Sequence, residues 1–100
     1  IARLLYNNKI PFRYESPLSL GDLIVYPDFT LRHPVTGDYF YWEHFGLMNK
    51  SDYRKNACAK LQLYISNGII PNIHLITTYE TQEEPLDPET VERIVEYYFL

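Results

Sequence analysis

Two carboxylates, Asp28 and Glu43, stand inside aromatic and β-branched runs on either side of a Pro/Gly turn, in the stretch Tyr26–Gly46, YPDFTLRHPVTGDYFYWEHFG. A charged oxygen among Tyr, Phe and Trp is costly unless something positive meets it. Two such groups on one face suit a divalent cation with oxygen coordination. A plainer reading has Asp28 capping an irregularity at Pro27 and Glu43 pairing with Arg32 or Arg13. The aromatic surroundings weigh against it, because water is scarce there and charged residues are seldom buried without a purpose-built partner.

The elements flanking the pair must hold it in register. Leu23 to Arg32, LIVYPDFTLR, is dense in strand-forming residues, and Pro27 inside it predicts a bulge or an unpaired edge. HPVTGD is a turn, and Asp38 to Phe45 is the returning strand. With the turn centred between Thr36 and Gly37, cross-strand partners sum to 73, which sets Asp28 opposite Phe45 and Thr30 opposite Glu43. Side chains alternate along a strand, so Asp28 and Glu43 share a face as diagonal neighbours, roughly 7 to 8 Å apart at the backbone.

Upstream, Ile1 to Asn8 reads as the end of an amphipathic helix, Phe12 to Pro17 as a short edge strand, and Gly21-Asp22 as a turn. Downstream, Ser51 to Asn67 is a helix with Ser51 as N-cap, Asp52 in its first turn and Asn67-Gly68 as its stop. Its apolar stripe is Tyr53, Ala57, Leu61 and Tyr64, with Lys60 on the border of that stripe. Asn72 to Tyr79 is a strand, and Asp87-Pro88 opens a last helix whose apolar face is Val91, Ile94, Val95 and Tyr98. The order α-β-β-β-α-β-α predicts an α/β domain with a central mixed four-stranded sheet, the strand after the long helix lying parallel to its neighbour.

At 100 residues the chain is one domain. Ten of its apolar residues are tyrosines, most of them expected in the core and at its rim. The single cysteine, Cys58, rules out an internal disulfide and fits the cytoplasm. No apolar run is long enough to span a membrane. The start at Ile1, without Met or a capping residue, suggests a piece of a longer protein with other domains. Net charge is −4 but uneven: residues 1–79 carry eight Lys/Arg against six acids, and residues 80–100 carry one Arg against seven acids. Lys50, Arg54, Lys55 and Lys60 fall within eleven positions and could form a basic face.

The helix, three-stranded meander, helix, strand order resembles the PD-(D/E)xK nuclease superfamily, the restriction endonuclease-like fold. The matching residues are Pro27-Asp28, fourteen intervening positions, then Glu43-His44-Phe45. Within that superfamily the chain looks closest to the small domains related to very-short-patch repair endonucleases. The resemblance implies a DNA endonuclease of repair, restriction or helicase-linked processing, using Mg²⁺ or Mn²⁺ held by Asp28, Glu43 and the main-chain carbonyl of His44. Lys50, Arg54, Lys55 and Tyr64 would then meet the nucleic acid. The motif lysine falls on Phe45, a departure with three readings: Lys60 replaces it, its spacing to Tyr64 matching the Gln-x-x-x-Tyr of RecB-type nucleases; the domain is silent and only binds DNA or a protein; or the His44 side chain serves as base or phosphate contact. A further acid that many relatives carry on the first helix is missing between Ile1 and Ile10.

Overall fold

Pro27 has no N–H to give a strand ladder, and the chain breaks there. In a computed structural model describing residues 1–100, the expected strand Leu23–Arg32 is two strands. The elements are α1 (Ala2–Asn7), β1 (Phe12–Tyr14), β2 (Leu18–Leu20), β3 (Leu23–Val25), β4 (Phe29–Arg32), β5 (Tyr39–Phe45), α2 (Ser51–Ser66), β6 (Leu75–Tyr79) and α3 (Pro88–Phe99). β3 turns back onto β2 through Gly21-Asp22, where Gly21 takes a φ of 63° that side chains resist. This separate hairpin was not expected, so five strands rather than three precede α2.

The main sheet has the order β1-β4-β5-β6, antiparallel except for the parallel pair β5-β6. It is therefore the mixed four-stranded sheet foreseen, with β1 at an edge. The β4-β5 register differs from the expected one: Phe29 opposes Trp42 and Arg32 opposes Tyr39, a sum of 71. His33 causes the shift. Its Nδ1 accepts the amides of Val35 and Thr36, each at 3.1 Å, which centres the turn on those two residues. Gly37, at φ 78°, then closes the turn instead of lying at its middle.

Alternation gives the sheet two faces. On one, Phe29, Leu31, Trp42 and Ile76 pack with Leu5 and Ile10 and with Val91, Val95 and Phe99 of α3. α3 starts as expected, with Asp87 Oδ1 accepting the Glu89 amide at 2.9 Å and Pro88 in the first turn. On the other face a smaller cluster of Leu20, Tyr64 and Leu75 joins the β2-β3 hairpin and α2 to the sheet.

α2 ends in a Schellman motif: Gly68 at φ 81°, its amide bonding Ile65 O, and the Ile69 amide bonding Tyr64 O. At its start the N-cap is Lys50, with no side-chain capping bond, and Ser51 is the first helical residue. Only Tyr64 of the tyrosines is buried, and Tyr6, Tyr14, Tyr26, Tyr39, Tyr79 and Tyr97 are exposed rather than in the core. Cys58 is a free, exposed thiol. No helix is long and apolar enough to cross a membrane.

Candidate active site

The register of 71 places Asp28 directly opposite Glu43, closer than the diagonal expected. Asp28 is just ahead of β4, where buried Pro27 ends the irregular segment, and Glu43 is two residues from the end of β5. Each carboxylate is held by the other's strand. The Asp28 amide donates to Glu43 Oε1 at 2.8 Å, and the His44 amide donates to Asp28 Oδ2 at 2.7 Å. These bonds fix both carboxylates on one face without using a cation.

The cation comes from α2. Lys60 Nζ forms an ion pair with Glu43 Oε2, from a side chain 32 % exposed to a carboxylate 2 % exposed. Glu43 thus pairs with neither Arg13 nor Arg32. Burial raises the Glu43 pKa above the ordinary carboxylate value; the Lys60 bond and charge and the Asp28 amide oppose this, and the Asp28 charge adds to it. α2 is anchored over the strand end by Tyr53, whose hydroxyl accepts the Gly46 amide at 3.1 Å.

The resulting cleft, about 200 Å³, is lined by Asp28, Glu43, Phe45, Tyr53, Asn56 and Lys60 among others. Asn56 was not singled out from the sequence, although it lies one helical turn before Lys60 and so shares its side of the helix, and Tyr53 was read only as part of the apolar stripe. Phe45, at the motif-lysine position, is buried and stacks on Tyr79 with centroids 5.4 Å apart. The Lys60 ammonium reaches Glu43 from the helix instead.

The His44 ring points to the opposite sheet face. Its Nδ1 bonds Thr78 Oγ1 at 2.8 Å and its Nε2 bonds Glu80 Oε1 at 2.6 Å. Thr78 Oγ1 also accepts the Trp42 indole N–H at 3.1 Å, so one threonine hydroxyl ties the His44 ring to the buried Trp42. The bond from His44, with the Leu86 amide, holds the Glu80 carboxyl below its ordinary pKa. His44 serves the cleft through its main chain, and its ring takes no part in it.

No family model, curated protein or solved structure matches the chain. What the site does must be argued from its own geometry.

Lys50, Arg54 and Lys55 are exposed on the outer side of α2, with Arg54 Nη1 donating to Met48 O at 2.9 Å. Tyr64 is not with them. It is 0 % exposed, packed against Leu20 and Leu75, and out of reach of any nucleic acid. Its hydroxyl has no hydrogen-bond partner, and burial first, then the Glu43 and Asp28 charges, push its pKa far up. An unsatisfied buried hydroxyl costs about 1 to 3 kcal/mol. Tyr64→Phe is therefore expected to stabilise the fold by about 1 kcal/mol, read as a higher urea midpoint with an unchanged slope.

No three or more His, Cys, Asp or Glu side chains converge on a single point. Mg²⁺ does not need them, since it keeps several waters and takes one or two carboxylates together with substrate phosphate oxygens. The donor set at Asp28 and Glu43 is all oxygen and preorganised by main-chain amides. Both Glu43 oxygens are engaged, Oε1 by the Asp28 amide and Oε2 by Lys60, so such an ion fits once the Lys60 ammonium moves off Oε2.

Proposed function

We propose that this chain is a divalent-metal-dependent endonuclease domain that hydrolyses DNA phosphodiester bonds in the cytoplasm. The observation that carries the reading is the Lys60–Glu43 ion pair opposite Asp28 in one cleft. It gathers two acids and one cation from three separate elements, whereas a structural ion pair needs one acid and one base. A restriction endonuclease-like arrangement accounts for that grouping.

Asp28 and Glu43 would hold Mg²⁺ or Mn²⁺. Such an ion, when bound, supplies charge to the phosphoryl oxygens and lowers the pKa of water beside it. The chain's own groups do the rest. The His44 amide engages Asp28 Oδ2 and leaves Oδ1 for the cleft. The Lys60 ammonium, on a four-carbon stem, can move from Glu43 Oε2 to the charge growing on the phosphate or to a water poised for attack. A water oxygen bonds to phosphorus as the bond to the leaving ester oxygen breaks; the water gives up one proton and the leaving oxygen takes one up, so the phosphodiester becomes a phosphomonoester and an alcohol. The Phe45–Tyr79 stack walls one side and limits water there.

Incubation with single-stranded oligonucleotide and with supercoiled plasmid, in Mg²⁺ or Mn²⁺ and in EDTA, tests the proposal. Metal-dependent scission is the expected result, and intact DNA under all metal conditions would sink it. A second reading, a silent nuclease-fold module that binds DNA or a protein, is favoured by one observation: both Glu43 oxygens are already engaged by protein groups. Calorimetric Mg²⁺ binding that is lost in Glu43→Gln would exclude it.

A further inference from the structure

The sheet face that carries Asp28 and Glu43 is only half covered. By alternation, Arg13 of β1, Thr30 and Arg32 of β4 and Tyr39 of β5 lie on that same face. α2 and the β2-β3 hairpin cover its β5-β6 side, where Tyr64, Leu75 and Leu20 pack. The β1-β4 side is left as an open groove of about 360 Å³ whose lining includes Pro11, Arg13, Ser16, Thr30, Arg32 and Tyr39.

Both guanidiniums in this groove lack an acidic partner. The three ion pairs of the molecule are His44–Glu80, Lys60–Glu43 and Arg93–Glu89. In a chain with 13 acids against nine Lys/Arg, two unpaired arginines beside the hydroxyls of Ser16 and Thr30 form a local anion-attracting spot. Arg13 opposes Thr30, so Arg32 is its diagonal neighbour on the same face, roughly 7 to 8 Å away at the backbone. Long side chains at that spacing can converge on one anion, and the guanidinium fork matches phosphate oxygens. The Arg32 guanidinium also lies 5.9 Å from the Tyr39 ring centroid, and that ring is 57 % exposed. An exposed, cation-backed ring can stack a nucleic-acid base.

The groove is aligned with the carboxylates. Along β4, Thr30 and Arg32 are two and four residues from Asp28, or roughly 7 and 13 Å at about 3.3 Å per residue. That offset spans roughly two to four nucleotides at the 3.4 Å rise of a duplex strand. We propose that the β1-β4 groove is a phosphate subsite in which Arg13 and Arg32 hold a backbone phosphate of the nucleic-acid strand lying across Asp28 and Glu43, with the adjacent base on Tyr39. The subsite deepens the endonuclease reading and rests on it for the identity of the strand.

The test is fluorescence anisotropy with a labelled single-stranded oligonucleotide in EDTA, from low to moderate salt, comparing wild type with Arg13→Gln/Arg32→Gln. Both positions are exposed, so the double variant should keep the wild-type circular dichroism spectrum and Tm. The expected result is about tenfold or weaker binding, and a salt slope shallower by about 0.7, the value for one neutralised phosphate on a single strand. Unchanged affinity and slope would overturn the subsite. Inorganic phosphate alone, titrated as competitor, separates the two sources of the anion: displacement only at far higher concentration supports a strand, whereas binding as tight as the oligonucleotide's overturns it. A slope change without metal-dependent cleavage leaves the subsite standing and removes the endonuclease reading; cleavage with an unchanged slope does the reverse.

Discussion

Under the endonuclease proposal, Glu43→Gln is expected to lower DNA cleavage about a thousandfold while leaving the fold at least as stable at pH 7. The rate follows from the charge. Losing ~4 kcal/mol of transition-state stabilisation from a cation no longer held by two carboxylates is roughly a factor of a thousand. The stability follows from burial. The glutamine can keep Oε1 as acceptor of the Asp28 amide, now 2.8 Å from it, and it removes a charge from a site 2 % exposed. A carboxyl whose native pKa is raised favours the folded state at low pH, and that advantage is lost as pH rises through its native pKa. Glu43 is raised in this sense, so its ionised form costs stability at neutral pH and the neutral amide relieves that cost. Asp28→Asn should show a comparable loss of cleavage, since an asparagine oxygen can still accept the His44 amide but brings no charge to the metal. Rates on a radiolabelled oligonucleotide, set beside urea midpoints of the same preparations, check both halves. Retention of wild-type cleavage by either variant would remove these residues from the chemistry.

The carboxylate pair was legible because alternation has a period of two. A register of 73 or 71 differs by two residues, so both put Asp28 and Glu43 on the same face and only their offset changed. What moved the register was His33, whose ring nitrogen gathers two turn amides; nothing in the spacing of HPVTGD announces that. Lys60 was legible for a similar reason, as a border position of a helical stripe whose neighbours Ala57 and Tyr64 are buried. The β2-β3 hairpin was not, because strands of three residues are too short to show a period, and only Gly21 at its turn and Pro27 beyond its end marked it.

Tyr64 and the Arg13–Arg32 groove share one cause of illegibility. Whether a side chain on this face meets solvent or core depends on how far α2 and the hairpin extend across the sheet, a tertiary fact with no local signature. The smaller cluster closes over Tyr64 and stops short of β1. The same coverage leaves the Lys60 stem at the boundary, long enough to reach inward to Glu43 and still about one-third exposed.

That boundary position makes Lys60→Met the sharpest test of the ion pair, with an expected loss of at most about 3 kcal/mol in stability at pH 7 that shrinks in acid. Removing one partner of a buried pair leaves the other charge uncompensated, at a cost of about 3 to 5 kcal/mol. Here protonation limits the cost. Glu43 can bind a proton instead of remaining charged, and holding it neutral at pH 7 against an unfolded pKa of 4.5 costs about 1.36 × 2.5, or ~3.4 kcal/mol. At pH 5 the same ceiling falls to about 0.7 kcal/mol. The sign is that of a raised native pKa: the variant gains on wild type as pH drops from 7 toward 4.5. Taking the difference between the two proteins at each pH cancels the opposite trend of Glu80, whose lowered pKa weakens both alike in acid. Thermal melts should show a gap of up to about 25 °C at pH 7, at about 4 to 8 °C per kcal/mol for a domain of this size, nearly closed at pH 5. A gap that stays constant with pH would mean that packing of the lysine stem, and not its charge, stabilises the site. Glu43→Gln/Lys60→Met should then separate the two terms, since with both charges gone an electrostatic deficit disappears and a packing deficit persists.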